Sequence, residues 1–439
     1  MRRPALLSVV LCLVVAKAEA REWTVGGSGS DFPLITPAIA AAAAGDTIRV
    51  RAGVYREDLT IDKRLAIVGD NQPVLFGTGV GTVVTLVAAG CELSGFVIEG
   101  SGTGQTNAMD AGVHVRSNRN RIVNNTLRRV FYGIVVTDAT HNEIADNDIR
   151  GFHDLPFGRR GDGIYLYRAP ENFVARNNVS GERDGIYFQY APRGRAVDNV
   201  VSNSRYGLHD MFSDDTVIAR NEFRDSAVGA NIMNSRRIRV EGNRILRNRG
   251  VPGIGLTLKD CDDSTVGGNT IAENARGLLL DGSSTNRFDA NDTAVTLFSS
   301  AERNRFSGNQ FAGNWSDVVL SGRDSGTAWS EDGRGNYWSR YRGFDFDDDG
   351  VGDAAHPVLG AFERIEGLNP ATRLFLQSPA AAGLELAARL GGAVADDAID
   401  AHPLARPGHR GQSSGTVALV FGVAACAAVI TREKRKCSR

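Results

Sequence analysis

Three side chains with soft donor atoms recur at a spacing that metal chemistry can use. The stretch RYGLHDMFSDD (residues 205–215) carries His209 and Met211, and NIMNS one repeat later carries Met233. The chain has four methionines, one of them the initiator, so two at equivalent positions 22 residues apart are informative. Thioether and imidazole donors are soft to borderline ligands and suit Cu(I). The plainer alternative is that Met211 and Met233 cover apolar surface under a loop or at a protein contact. A second group lies in DFDDDGVGD, where Asp345, Asp347, Asp349 and Asp353 fall at positions 1, 3, 5 and 9 of a calcium-loop spacing, with Gly350 at position 6. Position 12 is His356 instead of a bidentate Glu, and the competing reading is a solvated acidic turn.

Positioning these residues requires a repeat. Asn followed two residues later by an apolar side chain recurs at Asn125, Asn147, Asn177, Asn199, Asn221, Asn243, Asn269, Asn291 and Asn309, with gaps of 22, 30, 22, 22, 22, 26, 22 and 18. Gly112, Gly133, Gly163, Gly185, Gly207, Gly229, Gly255 and Gly277 run in step, each opening an alternating apolar stretch. Short strands between turns, with no sustained helical period, cannot bury their own apolar face; stacked units can. The expected fold is therefore all-β, a right-handed parallel β-helix with rungs about 22 residues long, stacked about 4.8 Å apart. The repeated Asn is expected to supply both a left-handed backbone turn and an amide ladder. An Ala-rich helix after Phe32 is expected to close the N-terminal mouth.

Alternation then sorts the side chains. In GIYLY, Ile164 and Leu166 point inward and Tyr165 and Tyr167 outward. Carried forward, that frame places His209, Met211, Asn231 and Met233 outside, and stacks Arg116, Thr137, Tyr167, Gln189, Met211, Met233, Lys259 and Asp281 in one column. It also points Asp210 inward, which demands a buried partner or a bulge. Cys91 and Cys261 fall six rungs apart, about 29 Å, which excludes a disulfide between them. No CxxC or Cys/His spacing argues for structural zinc.

The ends bound the topology. Residues 1–20 read as a secretory signal: two arginines, an apolar run, then Ala18-Glu19-Ala20. Residues 21–340 would form the solenoid and 341–410 an acidic, irregular C-terminal cap and linker. Residues 411–431 carry no charge over 21 positions and precede a basic tail, 432–439, which fits a transmembrane anchor. A net charge of −1 offers no electrostatic reason to expect nucleic acid.

GDGIYLYRAPENFVARNNVSGERDGIYFQY, SRYGLHDMFSDD, GIGLTLKDCDDS, GNYWSRYRGFDFDDDGVGD and DAHPLARP resemble the NosD family of nitrous oxide reductase maturation proteins, over about residues 45–407. The resemblance implies a periplasmic, non-enzymatic protein. It would dock on an ABC transporter of NosF ATPase and NosY membrane subunits, take copper from the chaperone NosL, and help to assemble the copper–sulfide centre of nitrous oxide reductase. The family motif Gly-Leu-His-Tyr-Met-Tyr-Ser is matched at His209 and Met211 but has Asp210 where the intervening Tyr would be, and the rung from Gly277 to Val295 is shortened. A reading from another class is a β-helix polysaccharide lyase or uronan C5-epimerase drawing on Tyr165, Tyr187, Arg116, His114 and Lys259. It lacks the Asp-Pro-His-Asp motif of alginate epimerases. A surface adhesin is the blandest possibility.

Overall fold

The computed structural model describes residues 20–407, apart from 105–108, 153, 292, 299, 315, 323–325, 376–377 and 392–397. The expected signal, but for its last residue, and the expected anchor at 411–431 with its tail lie outside the described residues. Among the described residues no helix is long and apolar enough to cross a membrane.

The repeat builds a right-handed parallel β-solenoid whose coils contribute strands to three long sheets of 13, 12 and 10 strands. One coil shows the plan. The long strand Tyr206–Met211 is followed by Val217–Ala219, then by Glu222–Arg224, and the chain returns to the next long strand, Val228–Met233. Successive long strands pair in parallel, with Gln189, Met211, Met233, Lys259 and Asp281 directly aligned, as the period requires. The interior is a single column of fully buried side chains, such as Ile186, Phe188, Leu208, Ile218, Phe223 and Ile232. The glycine opening each long strand is needed because neighbouring coils touch there: a Cβ on Gly207 would lie 2.4 Å from the Gly229 carbonyl oxygen.

The asparagine ladder is continuous, each backbone N–H donating to the Oδ1 of the next rung from Asn125 through Asn309 to Asn336. Its expected second task falls elsewhere. The left-handed residue is the one before the Asn: Asn124, Asp146, Arg176, Asp198 and Arg220 have φ between 54° and 59°. The asparagine side chain must point inward to reach both neighbouring rungs, so the sharp turn is made one residue earlier, where the side chain faces water.

The ends are closed differently. Helix Ile35–Ala41 buries Ile35, Ala38 and Ile39 against the first coils, after strand Glu22–Val25 has already started the 13-stranded sheet. The shortened rung omits its third strand, so the 10-stranded sheet stops at Thr270–Ala272. Past Trp338 the chain forms helices Ala361–Leu368 and Pro379–Gly391 and an antiparallel bridge between His356–Pro357 and Ile399–Asp400. That bridge brings Asp400 onto the last ladder rung, where it accepts from Asn336 N at 2.7 Å and Trp338 Nε1 at 2.8 Å.

Candidate metal site on the outer face

The long strands turn one face to the core and one outward, and the outward face carries its own apolar cluster, centred on Phe131, Tyr132, Val135, Tyr165 and Tyr187 with Tyr167 and Met211 packed against it. The rings rise in a ladder. Tyr132 and Tyr165 are 6.1 Å apart, Tyr165 and Tyr187 5.0 Å, and the imidazole of His209 completes the stack at 4.2 Å from Tyr187, tilted by 7°. His209 is therefore outward, as the alternation predicts, yet only 7% exposed, because the aromatic rungs cover it.

Each imidazole nitrogen has a distinct environment. Nδ1 lies 3.1 Å from Asp184 Oδ2, and Asp184 is held in turn by Arg205 Nε and Nη2 at 2.9 and 2.7 Å. Burial works to raise the Asp184 carboxyl, but the His209 and Arg205 hydrogen bonds outweigh it and leave it below the usual carboxylate range. Asp184 Oδ2 is thus the partner of Nδ1. Nε2 is buried with no hydrogen-bond partner. A buried acceptor left unpaired costs about 1–3 kcal/mol. A carboxylate on one nitrogen and a metal on the other is a common arrangement for ligating histidines.

Met211 and Met233 are half-buried and are register partners on adjacent strands. Thioether and imidazole donors together fit Cu(I) and poorly fit hard cations. Asp210 points into the core without a bulge, since the register runs unbroken through it. Burial pushes its carboxyl up to about 8, so it is neutral near pH 7. Ser235 Oγ lies 2.9 Å from both Asp210 Oδ1 and the Met233 carbonyl; one hydroxyl proton cannot serve both, and the protonated acid supplies the second.

In the acidic loop, ligand oxygens of Asp345, Asp347 and Asp353 lie within 4.8 Å of one another. Asp349 does not join them: its Oδ1 accepts from Val351 N at 2.7 Å. Gly350 takes φ of 88°, the left-handed turn expected at position 6. His356, at position 12, packs on Trp338. Cys91 and Cys261 are both free and buried.

The outward residues considered for sugar chemistry are dispersed. His114 and the rung of Lys259 are six register steps apart, about 29 Å. Burial lowers His114 to about 4 and raises the Tyr165 and Tyr187 hydroxyls, which donate to Gln189 Oε1 and Met211 Sδ. The Asp184–Arg205 support was not found from sequence. Its signal, Asp before Gly185 and Arg one rung on, was present in RDGIYFQ and SRYGLHD.

The family model described as "Periplasmic copper-binding protein (NosD)" matches residues 153–343, which contain all three soft donors. A probable ABC transporter binding protein NosD of Pseudomonas aeruginosa is 34% identical over 378 residues, covering 81% of this chain and 87% of the relative. The chain belongs to the NosD family. A second NosD protein, from Stutzerimonas stutzeri, is 32% identical over 81% of this chain and 86% of its own length. Among solved structures, the A-modules of the Azotobacter vinelandii mannuronan C-5 epimerases AlgE4 and AlgE6 share 15% identity at TM-scores of 0.45 and 0.47, over 69% and 67% of this chain and 86% and 93% of theirs. At that distance they bear on no functional argument for this NosD-family chain.

Proposed function

We propose that this NosD-family protein is a non-enzymatic periplasmic platform that holds Cu(I) transiently at His209, Met211 and Met233 while an ABC transporter drives assembly of the copper–sulfide centre of nitrous oxide reductase. What supports the reading is the buried, unpaired Nε2 of His209, whose ring is held at Nδ1 by Asp184, on the same strand as Met211, itself the register partner of Met233 on the next coil. Three soft donors on an outer face give binding that can be reversed, as delivery requires. In this reading copper arrives from NosL, NosF and NosY form the transporter, and residues 411–431 anchor the chain to the inner membrane. Calcium at Asp345, Asp347 and Asp353 would brace the C-terminal cap, without Asp349.

The test joins binding and maturation. The variant His209→Ala, Met211→Ala, Met233→Ala should keep its β-rich circular dichroism, lose Cu(I) in competition with a chromophoric chelator, and yield reductase without its copper–sulfide centre in cells. Full Cu(I) binding or a fully active reductase with that variant would reject the assignment.

A further inference from the structure

Both sulfurs of the pair already accept a hydrogen bond. Tyr187 Oη donates to Met211 Sδ at 3.9 Å, and Asn231 Nδ2 donates to Met233 Sδ at 3.2 Å. Tyr187 and Asn231 are 8% and 7% exposed, so neither donor is a mobile surface group. The tyrosine ring is held between Tyr165 on one side and the imidazole on the other, which aims its hydroxyl. The register aligns Tyr187, His209 and Asn231 in one column, so the histidine has a sulfur-capping donor on the rung before it and another on the rung after.

A thioether is a weak acceptor, and a hydrogen-bond donor draws on the same sulfur lone pairs that a soft cation needs. We propose that Tyr187 and Asn231 cap the two methionine sulfurs in the metal-free protein and thereby hold Cu(I) affinity down to a level that permits release. The inference rests on the copper reading above. Cation entry exchanges an O–H···S and an N–H···S contact for two metal–sulfur contacts, so part of the metal–sulfur gain is offset by the two donors that lose their acceptor. Removing a cap should therefore tighten binding, whereas a side chain that only supports the fold would loosen it when altered.

The experiment measures Cu(I) affinity of the full chain by chelator competition, together with the rate at which the chelator strips the metal. Tyr187→Phe keeps the stacked ring and deletes the hydroxyl; Asn231→Leu keeps the volume and deletes the donor. Each should tighten binding about threefold to tenfold, the equivalent of one net hydrogen bond, and slow stripping by a similar factor. Should the unaltered chain bind Cu(I), and Met211→Ala with Met233→Ala abolish it, unchanged or weaker affinity in both capping variants overturns the capping role alone. Should the unaltered chain bind none, the copper reading fails and takes the capping role with it.

Discussion

His209 and Asp210 are adjacent on one strand, face opposite sides of it, and each buries a polar atom that has no hydrogen-bond partner. Inside, the conflict is resolved by a proton: Asp210 stays neutral at pH 7. Outside, the orphaned Nε2 belongs to a ring whose other nitrogen is already committed to Asp184. The contrast shows how a solenoid separates its tasks, the inner face tolerating a carboxyl only when it can be neutralised and the outer face able to keep a buried ring nitrogen unpaired.

The largest expected effect tests the inner half. Folded Asp210 holds its proton up to about pH 8, while the unfolded chain releases it near 3.8, so between those values the folded state binds more protons and stability falls as pH rises. At about 1.4 kcal/mol per unit, that loss is on the order of 4 kcal/mol from pH 4 to pH 7. Asp210→Asn should lessen the slope by that amount in denaturant titrations, and an unchanged slope would show that Asp210 does not hold an extra proton in the folded chain. Next comes the ladder. Asn221→Ala deletes the bond to the Ala196 carbonyl and the links to Asn199 and Asn243, and should cost about 3 kcal/mol in denaturant midpoint. Calcium at ten times its dissociation constant should add about 1.4 kcal/mol to cap stability by calorimetry, an increment that Asp347→Ala should erase. The outer methionines should matter least to folding: Met211→Ala with Met233→Ala should cost about 1 kcal/mol, since both are half-exposed, while Cu(I) binding is lost. A large stability loss there would blur the distinction between the two faces.

Much of this was legible before any coordinates. A period near 22 with fixed strand alternation determines which residues stack, so the column Gln189, Met211, Met233, Lys259, Asp281 follows from counting, and so does the inward direction of Asp210. The turn chemistry was legible only in part: Asn marks the ladder, but the left-handed position is the variable residue before it, where Asp, Arg and Asn all serve. Burial of His209 was not legible, because alternation reports direction and not cover. The cover comes from tyrosines on preceding rungs whose stacking depends on ring orientation.

The amino-acid order alone determined the coil, its register and the face on which the soft donors gather, because parallel stacking turns a sequence period directly into vertical neighbours. Tertiary structure decided which of those donors is free. Asp184 reaches His209 across 25 residues and Asp400 reaches Asn336 across 64. The first contact depends on how far side chains extend between coils, which the repeat brings near but does not fix, and the second on how the chain end folds back, which no local pattern encodes.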